Sequence, residues 1–261
     1  MNQNKTYLLT ISILLCCQSI FGQNNRLQTS NSIGWYNYFG TIKIAEKFGL
    51  HTEYQWRRDQ FISNWQQGLL RVGINYNLNQ NVMFRAGYAW IETYPYGEYT
   101  LNSLGRDFTE HRIFEMVQLS HKEGILDFSH RFMLEQRFVG RFSAVNKTTE
   151  DEFPLLNRLR YMMRFQVPLK GYEIKDNTPY AAIYNEIFLG FGKNVNANIF
   201  DQNRLGIMIG YRFNNKFRIE GGYLNQILQF GRQINNQNVI QNNHGIILNS
   251  NFAFDIKQKK K

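Results

Sequence analysis

Leu70-Arg71-Val72-Gly73-Ile74-Asn75-Tyr76 puts an apolar side chain at every even number and a polar or small one at every odd number. Successive side chains of a strand point to opposite faces, so the stretch has one apolar wall and one polar wall. The rhythm recurs on both sides of it. Leu50, Thr52, Tyr54 and Trp56 alternate with His51, Glu53, Gln55 and Arg57. Val82, Phe84, Ala86, Tyr88 and Trp90 alternate with Met83, Arg85, Gly87 and Ala89. Further segments extend the pattern to approximately 31–44, 48–58, 64–77, 82–92, 110–121, 125–138, 155–167, 180–191, 203–213, 216–228 and 244–256. Half-apolar segments of this length, separated by turn residues, predict an all-β fold, an antiparallel transmembrane β-barrel.

The connections alternate in length. Those at 45–47, 77–81, 121–124 and 214–216 are tight, whereas 59–63, 93–109, 139–154, 192–202 and 229–243 read as longer loops. Short periplasmic turns alternating with longer extracellular loops fit an outer-membrane barrel. The connection at 168–179 is longer than its periplasmic neighbours. Eleven segments is an odd count, and bacterial barrels of one chain are even. The expected range is therefore 10–12 strands. Twelve is favoured, with residues 23–33 supplying the extra one, and ten is the alternative.

The ends agree with export. Lys5, the apolar run Tyr7 to Leu15 and the small residues before Gln23 form a secretory signal over 1–22, leaving 23–261 as one barrel domain. Cys16 and Cys17 lie inside the signal, so the mature chain has no disulfide and no cysteine metal site. No other apolar run is long enough for a membrane helix. The formal charge is +10, and the chain closes on Lys257, Lys259, Lys260 and Lys261. An exported barrel rarely meets nucleic acid. Anionic groups of lipopolysaccharide, or an anionic solute in the lumen, are the expected partners. Trp35, Tyr36, Tyr38, Tyr54, Trp56, Tyr76, Tyr88, Trp90, Tyr211 and Tyr223 fall near segment ends, as two aromatic girdles would. Phe252 and Phe254 close the last strand like a signal to the barrel-assembly machinery.

With the apolar face outward, the other face is the lumen. The candidate lumenal network is Glu53, Arg57, Arg71, Arg85, Glu115, Arg131, Glu135, Arg137, Arg158, Arg160, Arg164 and Glu186, with Arg204, Arg212, Arg218, Asp127 and Glu220 in addition. An arginine at the lipid midplane costs about 2–4 kcal/mol, which argues for placing these charges inward. Two readings stay open. Opposed charges can fill the lumen as a structural plug, or surplus arginine can line a narrow passage or binding cavity for small anions.

No catalytic arrangement stands out, so a non-enzymatic role is expected. Ser129 and His130 are adjacent and point to opposite faces, which rules them out as a nucleophile–base pair on one strand. His130 falls on the outward face beside Phe128 and Phe132, an awkward place for it. Glu110-His111-Arg112 reads as a solvated cluster at a strand end. No cofactor or metal site is indicated. An outer-membrane enzyme acting on lipid or lipopolysaccharide, and an adhesive barrel using loops 93–109 and 229–243, are the alternative functions.

An ordered set of short motifs runs through the chain. It comprises Trp35, Leu50-x-x-Glu53-x-Gln55-x-Arg57, Leu70-Arg71-x-Gly73-x-x-Tyr76, Glu110-His111-Arg112-Ile113, His130-Arg131-x-x-x-Glu135-Gln136-Arg137-Phe138, Arg158-x-Arg160-Tyr161 and Tyr184-Asn185-Glu186. In this order they resemble the domain of unknown function 2490 family, a group of outer-membrane barrels from Bacteroidetes-type bacteria. The resemblance implies a barrel in the outer membrane and supplies no substrate or catalytic residue.

Overall fold

The computed structural model describes residues 26–195 and 198–256. The expected signal segment and the terminal lysines lie outside these. Eleven strands make up the fold: β1 (Arg26–Lys43), β2 (Phe48–Asp59), β3 (Asn64–Asn77), β4 (Val82–Thr93), β5 (Phe108–Glu123), β6 (Leu126–Val139), β7 (Leu155–Pro168), β8 (Thr178–Phe191), β9 (Phe200–Arg212), β10 (Phe217–Ile234) and β11 (Gln237–Asp255). Sequential neighbours pair antiparallel, and β1 closes onto β11, so the sheet is a barrel without an edge.

The favoured count of twelve is corrected to eleven. Residues 26–33 do not form a separate strand; they are the upper part of β1. Strands that alternate in direction give the first and eleventh the same direction, so the β1–β11 seam must be parallel, and it is. The seam is in register over its whole length, with Asn31 opposite Asn243 and Asn37 opposite Asn249. Each pair is joined by its amides, at 3.1 and 2.8 Å. Gly245 sits opposite Ile33, where a Cβ would come within 1.8 Å of the Ile33 carbonyl oxygen. Only glycine allows the two backbones to meet there.

Two of the tight turns share one device. Asn79 Oδ1 accepts from the Asn81 and Val82 amides, and Asn214 Oδ1 accepts from the Lys216 and Phe217 amides. An asparagine side chain folding back on its own turn in this way favours a short reversal. At the other end, the expected loop 229–243 is also corrected. β10 and β11 continue to Ile234 and Gln237, leaving only Asn235 and Asn236 between them. Both have positive φ, 51° and 61°, which suits a two-residue hairpin.

The barrel is inside out relative to a water-soluble domain. Leu70, Val72, Ile74, Tyr88, Trp90, Ile207, Ile209, Ile246 and Leu248 are exposed on the outer wall, while arginine and glutamate are buried within. Aromatic rings cluster at both rims. Trp56, Trp65 and Tyr94 lie toward the long-loop end, and Phe213, Phe217 and Phe252 toward the tight-turn end. Trp35 departs from the expected girdle: it points into the lumen and is 2 % exposed. His130 does face outward. It stacks on His121, and its Nδ1 lies 2.9 Å from the Tyr161 hydroxyl, so the polar ring is partnered.

Candidate functional site

The lumen has two differently filled halves. Ile33 and Trp35 on β1, Tyr180 and Tyr184 on β8, Met208 on β9, Leu224 on β10 and Ile247 on β11 form an apolar cluster against one wall. Tyr180 and Tyr184 lie over Gly210 and Gly206, which have no side chains to obstruct the rings. Facing this cluster, side chains of β2, β3, β5, β6, β7 and β8, joined by Asp201 of β9 and Glu220 of β10, form a lattice of ion pairs.

Glu135, fully buried, is the hub of the lattice. Arg158 and Arg160 reach it at 2.5 and 2.7 Å, and Arg112 and Arg71 at 3.6 and 3.8 Å. Arg71 also pairs with Glu53 at 2.8 Å, and Arg160 with Glu186 at 2.8 Å. Arg131 adds a second contact to Glu186 at 2.9 Å. Glu110 holds Arg112 and Arg137, at 2.5 and 2.6 Å. Farther toward the tight turns, Arg164 crosses from β7 to Glu220 on β10 at 2.6 Å, and Tyr180 and Asn249 donate to the same carboxylate. Several of these links skip one or two strands, so they cross the barrel rather than follow its wall. Planar guanidinium forks suit such shared carboxylates.

Of the sequence-predicted set, Glu53, Arg57, Arg71, Arg85, Arg131, Glu135, Arg137, Arg158, Arg160, Arg164 and Glu186 lie on the inner face. Arg85 donates to Asn75 at 2.6 Å and is not part of an ion pair within 4.0 Å among the described residues. Glu115 is the correction. Along β5, Glu110, Arg112, Phe114 and Met116 are buried, while Ile113 and Glu115 are exposed. Glu115 therefore stands on the outer wall, where Gln136 donates to it at 3.2 Å. Arg212 and Arg218 sit at the tight-turn rim, the former near Asp176 at 3.5 Å. The reading of Glu110-His111-Arg112 as solvated is overturned as well. Glu110 and Arg112 are buried in the lattice, and His111 faces outward against Tyr88. Their two-residue spacing was the signal available for putting both on one wall. Asp201, 2.6 Å from Arg158, had no such signal because it precedes the regular part of β9.

Above the lattice the lumen opens into a cavity of about 500 Å³ at the long-loop end. The connection 94–107 forms part of its roof by folding across the mouth to the far wall. Tyr96 is buried against β11, taking a hydrogen bond from Asn243 at 3.2 Å, and Arg232 donates to the Thr100 carbonyl at 2.6 Å. The described lining carries seven arginines (57, 112, 137, 141, 158, 204 and 232) and two carboxylates, Glu110 and Asp201.

Two of the seven differ from the rest. Arg57 and Arg204 are 6 % and 7 % exposed, yet neither has a carboxylate within 4.0 Å among the described residues. Their neighbours are amides and rings. Arg57 donates to Gln55, and to Gln67 at 2.5 Å; Arg204 donates to Gln202 at 2.8 Å. Both guanidinium carbons lie over Trp35, at 3.9 and 4.8 Å from its ring centre, and Arg204 also lies 4.4 Å from Phe188. Arg204 Nε is buried with no hydrogen-bond partner. Trp35 is fixed in turn by donating to Gln66 at 2.7 Å.

Little here resembles a catalytic centre. His51 and Glu53 pair at 3.0 Å, but the other imidazole nitrogen, Nδ1, is buried without a partner. No group of three histidine, cysteine, aspartate or glutamate side chains is placed to hold a metal ion among the described residues. A family model described as a protein of unknown function, DUF2490, matches residues 33–238. No curated protein and no solved structure matches the chain.

Proposed function

We propose that this chain, which belongs to the DUF2490 family of unknown function, is a non-enzymatic outer-membrane barrel, sealed at its waist, whose loop-end cavity holds a small anionic solute. One observation carries the reading: charged side chains fill the interior while large apolar side chains cover the exterior. In water that arrangement would expose the apolar wall, whereas in a bilayer it lets lipid cover it. The aromatic rings at the two rims would then lie at headgroup level. The long loops face outward and the tight turns face the periplasm. Lipopolysaccharide surrounds the belt, and the barrel-assembly machinery inserts the chain after signal removal.

The sealed waist rests on Glu135 and the four buried arginines around it, Arg71 reaching it from β3 across two intervening strands. Anion preference in the cavity rests on its excess of guanidinium groups. The non-enzymatic reading is supported by carboxylates committed to arginine and by the unpartnered His51 nitrogen. Heat-modifiable gel mobility after detergent extraction, together with a silent planar bilayer, is the expected outcome. Recovery of the folded protein in the soluble periplasmic fraction would overturn the location. A stepwise conductance would overturn the seal, and cleavage or deacylation of lipid A by the purified barrel would overturn the non-enzymatic role.

A further inference from the structure

We infer that Arg57 and Arg204, stacked on Trp35 at the floor of the cavity, form a specific oxyanion site that takes one carboxylate or phosphate group of a small organic anion. This deepens the reading of the cavity above and rests on it. The argument begins from cost. An unpaired buried charge is expensive, so buried cations are ordinarily found with carboxylates close by. Within the same lumen Arg71, Arg112, Arg158 and Arg160 obey that rule. Arg57 and Arg204 break it, both over a single indole ring.

Among the described residues no carboxylate lies within 4.0 Å of either to supply the missing charge. Gln55, Gln67 and Gln202 offer neutral oxygens. The Gln55 amide donates onward to Glu53, so Arg57 is only indirectly linked to that carboxylate. The indole and Phe188 faces offer cation–π stabilisation, which holds a guanidinium in place without neutralising it. Arg204 lines the cavity and donates to Gln202 alone among the described residues, so guanidinium N–H groups remain for a ligand. Two planar forks with spare donors suit a planar carboxylate or a phosphate oxyanion, which accept at two points.

The rest of the cavity suggests what the anion is attached to. Gln226, Tyr96 and Thr93 supply polar groups, and Leu101, Leu104 and Leu228 supply apolar contacts. That mixture and the volume suit a compact organic body rather than a bare ion. The large number of cations elsewhere in the lining draws anions toward the mouth, while Arg57 and Arg204 set where the charged head stops.

The test uses the full mature barrel, folded in detergent micelles, with benzoate, phenyl phosphate, inorganic phosphate and neutral benzamide as the ligands. Binding is read by Trp fluorescence and by calorimetry, and retained folding by heat-modifiable mobility. Benzoate or phenyl phosphate should bind saturably, with benzamide at least tenfold weaker. R57Q and R204Q should each lower oxyanion affinity at least tenfold while the barrel stays heat-modifiable. R204K keeps the charge in case the glutamine variants do not fold, and should still cost several-fold because lysine lacks the fork. Preference for benzoate over phenyl phosphate, or the reverse, assigns the head group, and binding of inorganic phosphate alone removes the organic body from the proposal. Equal binding of benzamide, or wild-type affinity in R57Q, R204Q and R204K, overturns the site. A folded, membrane-extracted barrel that binds none of the oxyanions overturns the site alone, whereas a soluble or conducting protein overturns the reading beneath it.

Discussion

Arg158 and Arg204 are both buried and project into one lumen, but their situations are opposite. Arg158 sits 2.5 Å from the Glu135 hub and 2.6 Å from Asp201. Arg204 sits on two aromatic faces with one nitrogen unsatisfied. Around Glu135 the waist is electrostatically closed, Arg71, Arg112, Arg158 and Arg160 each pairing with it and with a second carboxylate. The cavity floor is left open in charge. A buried arginine thus says little by itself, and whether its counter-charge is built into the protein separates a structural plug from a place for a ligand.

The strongest way to break this comparison is at the hub. Glu135→Gln leaves four guanidinium groups around a neutral amide, and loss of one member of a buried ion pair costs about 3–5 kcal/mol. The midpoint of chemical unfolding from micelles should fall accordingly, and an unchanged midpoint would mean that the lattice contributes no stability. At the floor the sign should reverse. Arg204→Gln removes an uncompensated charge and should raise anion-free stability by roughly 1–2 kcal/mol, since removing poorly compensated buried charge is often stabilising. A destabilised R204Q would place Arg204 with the structural arginines.

Glu115 sharpens the contrast from the other side of the wall. It lies mid-strand on β5, beside Ala86 and Leu134 in register, as Glu135 lies on β6, yet among the described residues it meets Gln136 and no arginine. Glu115→Leu should stabilise the membrane-inserted barrel by about 1 kcal/mol or less, acidic residues on that face being costly but less so than arginine. In water alone the substitution should lower solubility instead. The smallest effect is expected outside the barrel. Ser143 donates twice to Asp151, with Lys147 3.1 Å away, and these contacts hold the Asp151 carboxyl down at about 2. Because the folded value is depressed, this contact supports the loop above about pH 4 and is lost as pH falls toward 2. Pepsin nicking of 140–154 should rise over that interval, and Asp151→Asn should flatten the rise.

Much of the architecture was legible because burial demands a strict alternation. In the 70–77 part of β3 each even residue is apolar and each odd one polar or small, so a single phase fits and Arg71 has to point inward. The alternation fails in Ile113-Phe114-Glu115-Met116-Val117, where both faces are apolar. There the one charged residue set the phase, and it set it wrongly, because Phe114, Met116 and Met133 pack together inside below the lattice. The 229–243 stretch misled for the converse reason. Buried Gln241 and Asn243 make its inner face polar, while Asn242 and His244 make its outer face polar above the apolar belt, so no contrast marks the strand. The Arg57–Arg204 site was half legible. Both residues could be put in the lumen, but their lack of a counter-charge depends on strands far apart in the chain.

The parallel seam has a consequence for how the molecule comes to exist. Asn31 and Asn243, amide to amide, are separated by 212 positions, so the earliest strand to leave the ribosome waits for the latest before the cylinder can shut. Every other neighbour pair can zip as a local hairpin, whereas this one bears the whole entropy of ring closure. Until then β1 and β11 are two exposed sticky margins, and the fit of Gly245 against Ile33 acts as a gauge that admits one alignment. Assembly of this cylinder is thus a rolling-up of a sheet with a single latch, thrown last.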